Sequence, residues 1–205
     1  MKKLGRKIKK NKGMTYVELI VVLSIFSVVS SIVMFNYGDF QAKVDIKNLA
    51  SDIALKIVEA QKSSLAGLLP PPSQQSLIIS GWKPSYGLYF NRIVDPASFI
   101  YFADVNNDYI YAGSDACSSD CLSLSSITKG NHISNLDVIY QDSSTAPLND
   151  LTITFVRPDS SAIIRSSQIV PPLASPISYV QMTVASPGGI MAVIKLYPSG
   201  RVQVN

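Results

Sequence analysis

Apolar and polar positions along this chain fall into three successive regimes. From Leu19 to Phe35 the sequence reads LIVVLSIFSVVSSIVMF, without a charge, and the longer stretch from Met14 to Tyr37 holds only Glu18. At about 1.5 Å per residue such a stretch gives roughly 36 Å of helix, enough to cross a bilayer core of about 30 Å. The second regime is amphipathic. Ala42, Ile46, Leu49, Ile53, Ile57 and Ala60 recur at helical spacing, and Phe40, Val44, Leu55 and Val58 widen that face. Asp39, Lys43, Asp45, Lys47, Asp52, Lys56, Glu59 and Lys62 fill much of the rest. Gly67 is a stop signal, and Pro70, Pro71 and Pro72 bar resumption of the helix. The pattern predicts one helix from Met14 to about Leu65, roughly 78 Å long, with Gly38 as a place for a kink.

Past the prolines the period shortens to two. Strands are predicted at Leu77–Ser80, Tyr86–Ile93, Phe99–Ala103, Leu136–Gln141, Leu151–Arg157, Ile163–Val170, Ile177–Ala185, Ile190–Tyr197 and Arg201–Val204. Pro187-Gly188-Gly189 and Pro198-Ser199-Gly200 punctuate them. Ser-rich stretches at 118–126, around 143–145 and at 160–167 read as loops or exposed edges. The expected fold class is α+β: a long N-terminal helix packed on an antiparallel β-rich head. Its expected divisions are a basic leader at 1–13, a helix at 14–66 (membrane-spanning over 14–37, amphipathic over 38–66) and a globular head at 67–205.

Charge changes this picture at one point. The net charge of +4 arises from seven Lys and Arg within residues 1–13; the remainder carries 11 basic and 14 acidic side chains. The basic block explains the high pI, and a nucleic-acid reading of the whole chain has little to rest on. The same block places the N-terminus on the cytoplasmic side and the head beyond the membrane.

Several classes explain a basic block followed by an apolar run. A secretory signal peptide would end at a small-residue site, whereas here the helical pattern continues into the amphipathic stretch. A plain membrane anchor leaves Glu18 unexplained, because a carboxylate in lipid needs a partner. The stretch KGMTYVELIVVLSIFSVVSSIVMF resembles the N-terminal signal of type IV pilins and type II secretion pseudopilins: a short basic leader, a Gly, then an apolar helix with Glu at its fifth position. The resemblance implies cleavage by a prepilin peptidase between Gly13 and Met14, and N-methylation of Met14, which stands where Phe is commoner. It also implies pairing of Glu18 with the new amine of a neighbouring subunit. An unpaired buried ion costs several kcal/mol, so that pairing would select one geometry of addition. Gly13 lets a peptidase approach the scissile backbone, and the serines at 24, 27, 30 and 31 suit close helix packing. Other partners implied are sibling pilin or pseudopilin subunits, an inner-membrane assembly platform, and membrane lipid before assembly. The location implied is the bacterial cytoplasmic membrane and then a filament.

Two head segments narrow the resemblance. Pro84-Ser-Tyr-Gly-Leu-Tyr-Phe and Phe99-Ile-Tyr-Phe-Ala-Asp-Val-Asn-Asn-Asp look like the GspH/FimT-type pseudopilin domain, and Pro198-Ser-Gly-Arg-Val-Gln-Val is similar to its closing hairpin. The apolar half lacks the helix-breaking Pro of many major pilins, which favours a minor pilin or pseudopilin.

Candidate chemistry in the head is sparse. Asp104, Asn106, Asp108 and Asp115 offer oxygens at the spacing of a calcium loop, yet Tyr109 sits where such a loop needs Gly. The competing reading is a hydrogen-bonded turn between strands. Cys117 and Cys121 suit a local disulfide in an oxidising compartment; with His132, read as a surface residue, they fall short of a four-ligand zinc set. Lys195 and Arg201, with Tyr197 between them, are candidates for DNA capture, as in some FimT-like minor pilins; solvated strand-end charges are the plainer reading. No nucleophile elbow or phosphate-binding Gly-rich loop appears, and the chain has one His, so an enzyme is not expected.

Overall fold

A computed structural model describes residues 13–78, 83–111, 117, 120–169 and 175–205. The basic leader up to residue 12 and Asp115 lie outside the described residues. The chain divides into two compact units at Gln41/Ala42.

Helix α1 spans Tyr16–Ala66. Its start is set by Thr15, whose Oγ1 accepts the backbone N–H of Glu18 at 3.3 Å while Leu19 N–H bonds the Thr15 carbonyl at 3.1 Å. Thr15-Tyr-Val-Glu18 has the sequence form of a capping box. Its end is set by Gly67, which adopts φ +59°, a conformation that costs a residue without Cβ little. Gly67 N–H then bonds Ser64 O at 2.9 Å and Leu68 N–H bonds Ser63 O at 3.2 Å, the paired bonds that close a helix C-terminus. The prolines do not bar helix altogether. A single turn, α2 (Pro72–Gln75), restarts with Pro at its first position, where a missing N–H costs nothing.

In the first unit, every described side chain from Met14 to Met34 is exposed. Helix α1 is the one element described that is long and apolar enough to cross a membrane. Ser24, Ser27 and Ser31 turn their hydroxyls back onto Val21 O, Leu23 O and Ser27 O at 2.8–2.9 Å. These three hydroxyls are thereby satisfied inside the helix, as an apolar solvent demands.

In the second unit, Ala42–Ala66 packs with ten strands. These are β1 (Ser85–Asn91), β2 (Asp95–Asp104), β3 (Cys121–Ser126), β4 (His132–Tyr140), β5 (Thr145–Pro147), β6 (Asp150–Phe155), β7 (Ala162–Arg165), β8 (Ile177–Ala185), β9 (Met191–Leu196) and β10 (Val202–Val204). They form two antiparallel five-stranded sheets, in orders β3-β2-β1-β6-β7 and β10-β9-β8-β4-β5. The fold class is α+β. One apolar cluster joins Ile46, Ala50, Ile53, Ile57 and Ala60 of α1 to Leu88, Phe90, Ile153 and Phe155 of the first sheet and Leu136, Val180, Met182 and Ile194 of the second.

Three expectations need correction. Leu77 and Ile78 lie in the turn after α2, not in a strand, because Leu77 N–H is already bonded to Gln74 O. The buried stripe of α1 runs through Ala50, with Leu49 only partly buried. Leu55 and Val44 do not widen that stripe; they face solvent, since the helix offers the sheets a face only about 100° wide, and Phe40, in the first unit, is exposed as well. The Ser-rich stretches do hold short strands, and β3, β5 and β7 all lie at sheet edges.

Candidate functional site

The N-terminal constellation is built on one helical turn. Gly13 and Met14 precede the helix, Thr15 caps it, and Glu18 is the acidic residue of its first turn. A carboxylate there faces the free backbone N–H groups and the positive end of the helix dipole. Glu18 is exposed, as are the apolar side chains that follow it. Thr15 was not singled out from sequence, although the T-x-x-E spacing signals it.

The Asp104 loop folds as a turn. Asp104 ends β2 fully buried, and its Oδ1 and Oδ2 accept the backbone N–H groups of Asn107 (2.7 Å) and Tyr109 (3.2 Å). Asp108 Oδ1 accepts Ile110 N–H and its Oδ2 accepts the Asn106 amide, each at 2.8 Å. Burial raises the Asp104 pKa above the ordinary carboxylate value, against the lowering effect of the Tyr109 and Asn107 N–H bonds. Among the described residues no three His, Cys, Asp or Glu side chains gather where a metal could be held.

What the turn accomplishes is packing. It returns the chain across the outer face of the first sheet, where Tyr111 meets Phe102 and Tyr89 at ring separations of 5.4 and 5.1 Å. Ile100, Phe102, Tyr111 and Cys121 make a small second core there. Thr154 Oγ1 ties the loop down through Tyr109 O at 3.2 Å. Gly87 leaves room for the Phe102 ring and the Ile153 carbonyl, because a Cβ at that position would lie 2.7 Å from the ring and closer still to the carbonyl.

Cys117 and Cys121 are joined by a disulfide with a Cα separation of 5.1 Å. Cys121 begins the edge strand β3, and its carbonyl accepts the Gln74 amide at 2.8 Å, which fastens α2 to that edge. His132 starts β4, with Nδ1 3.4 Å from Gly130 O.

Lys195 and Arg201 come together on the outer face of the second sheet. Lys195 Nζ lies 4.8 Å over the Tyr179 ring and the Arg201 guanidinium 4.0 Å over the Tyr197 ring, with the two rings 5.5 Å apart. The register places Lys195 between Gln181 and Gln203. Sequence named three members of this cluster; Tyr179, brought alongside by β8–β9 pairing, was missed.

Compared with known proteins, the chain matches no family model, no curated protein and no solved structure.

Proposed function

We propose that this chain is a filament subunit of the pilin type, a minor pilin or pseudopilin held in a membrane by α1 before assembly. The observation that carries the reading is the start of α1: an apolar helix, exposed at every described side chain up to Met34, that begins one turn after a Gly and whose one charge before Asp39 is Glu18. Such a surface is unstable in water and suits either lipid or the helices of sibling subunits. In this reading a prepilin peptidase cleaves between Gly13 and Met14, and the freed amine of one subunit pairs with Glu18 of another. The head then serves as a rigid, disulfide-fastened body without catalysis of its own. The test is a Glu18→Ala variant, which should be processed normally, as seen by mass of the mature N-terminus, yet lost from sheared filaments. Normal retention of the variant in filaments would overturn the proposed pairing.

A second reading is favoured by the Lys195–Tyr179–Tyr197–Arg201 cluster, in which two tyrosine rings, tilted to each other, each carry a cation over their face. On it, the filament presents a weak DNA-binding face. Two phosphate contacts predict a slope of about −1.8 in log affinity against log salt. Loss of binding in Lys195→Gln/Arg201→Gln supports it, and no binding at low salt by the parent chain removes it.

A further inference from the structure

The turn between β1 and β2 (residues 92–94) carries a pair of side chains that neither the core nor the turn requires. Ile93 and Val94 are 61% and 60% exposed. The turn chemistry is supplied by Asn91, whose Oδ1 accepts the N–H groups of both Ile93 and Val94 at 3.0 Å. Turn tips ordinarily carry Gly, Asn, Asp, Ser or Pro, and β-branched aliphatics gain nothing there. The tip is also stiff. Arg92 N–H bonds Asn149 O at 2.8 Å, and the Arg92 guanidinium reaches Leu148 O and Asn149 Oδ1 at 3.2 Å each.

The position of the tip says what it meets. Just past it, Ala97 O accepts Ile127 N–H at 2.7 Å, and the next turn brings Lys129 to Asp45 of α1 at 2.7 Å. Gly130 of that turn abuts Pro187 in the β8–β9 turn, beside the exposed Met191. Hairpin tip, these two turns and the first turn of Ala42–Ala66 therefore share one pole of the second unit. Ala42 follows the uncharged run by seven residues. At about 3.5 Å per residue, the seven residues of chain between them limit Ala42 itself to roughly 25 Å from the end of that run. Tethering at that range makes contact intramolecular, so even two aliphatic side chains suffice where free binding would be negligible.

We propose that the Ile93–Val94 tip is a lipid-contacting element that seats this pole of the head on the bilayer surface while the chain is in its membrane form. The inference rests on the reading of α1 as membrane-spanning, and the experiment separates the two. The full chain has two cysteines, both consumed by the disulfide, so a single introduced cysteine can carry a fluorophore. Val94→Cys, Leu68→Cys and Val28→Cys are labelled with bimane and the protein is reconstituted in phosphatidylethanolamine/phosphatidylglycerol vesicles. Quenching by lipid-borne nitroxide is compared with quenching by aqueous iodide. Labels at 28 and 94 should be quenched by the lipid nitroxide, and the label at 94 should be several-fold less sensitive to iodide than that at 68. Iodide sensitivity at 94 equal to that at 68, with 28 still lipid-quenched, overturns the tip proposal alone. A label at 94 shielded from both quenchers places the tip against protein and overturns it as well. If 28 is not lipid-quenched, the spanning reading fails and the tip proposal falls with it.

Discussion

The two halves of α1 are both rich in Val, Ile and Leu, yet they meet opposite fates. From Leu19 to Phe35 the apolar residues surround the helix, and no described side chain from Met14 to Met34 is covered. From Ile46 to Ala60 they fall on a stripe, and Ile46, Ala50, Ile53, Ile57 and Ala60 are almost entirely buried against two sheets. Apolar content is therefore a poor guide to what a helix does. Its angular distribution decides. A stripe can be covered by the chain's own sheets, whereas a helix apolar on all sides needs a solvent or neighbours of its own kind.

The largest expected effect tests that contrast directly. Ile57→Ala should lower the stability of the head by about 2–5 kcal/mol, because it leaves a cavity between α1 and the sheets. Val28→Ala removes similar bulk from the exposed half and should change head unfolding by less than about 0.5 kcal/mol. Urea titrations followed by circular dichroism in mild detergent measure both. Equal losses would mean that the exposed half also supports the head.

A second test uses the polar end of the stripe. Ser64 is fully buried; its hydroxyl donates to Phe155 O and accepts Tyr86 N–H at 2.8 Å, so it bridges α1 to β1 and β6. Ser64→Ala leaves a buried donor and acceptor unmatched and should cost about 1–3 kcal/mol. Ser27, whose hydroxyl bonds only within its own helix, should be replaceable by Ala without loss in the same titration. A neutral Ser64→Ala would mean that water or a shifted backbone repairs the junction.

Much of this was legible in the sequence, and the misses share a cause. The helix, its stop at Gly67 and the alternating strands such as Leu151–Phe155 carry their signals locally. Ala50 in place of Leu49, the burial of Ser64 and the arrival of Tyr179 beside Lys195 depend on which face a distant sheet presents. The Asp104 segment shows both sides. Its Asx chemistry could be read from spacing, but its purpose could not, because Phe102 and Tyr111 meet only after β1 and β2 pair. The Ser-rich stretch that holds β3 reads as a loop or an exposed edge, and only its pairing with β2 decides for the edge.

Asp104 gives a third, pH-dependent test, confined to the second unit. Its folded pKa is raised by burial, so its contribution to stability is fully present below the unfolded value of about 3.9 and is lost as pH rises through the folded value. Exposed Asp142 and Asp159, held below the ordinary value by Ser144 and Ser161, act in the opposite sense. Comparison with Asp104→Asn isolates the buried group. The stability of the variant relative to the parent should improve as pH rises from the acid range toward neutrality. A gap constant over that range would show that the N–H bonds from Asn107 and Tyr109 fully offset burial.

The smallest effect concerns the border between the halves. Asp45 and Lys129 pair at 2.7 Å, one residue before the stripe begins in earnest at Ile46, with the lysine side chain 59% exposed. Pairs so placed contribute about 0–1 kcal/mol and weaken with salt. Lys129→Met keeps the stem and removes the charge, so the global unfolding midpoint should barely move. The consequence should instead be local. Without the tether, amides of residues 46–49 should exchange with deuterium faster, those of 53–60 should be unchanged, and added salt should narrow the difference between variant and parent. Faster exchange reaching Ile57 would mean that the stripe opens as one unit from its N-terminal end. No change at 46–49 would mean that burial of Ile46 alone fixes where the second half begins.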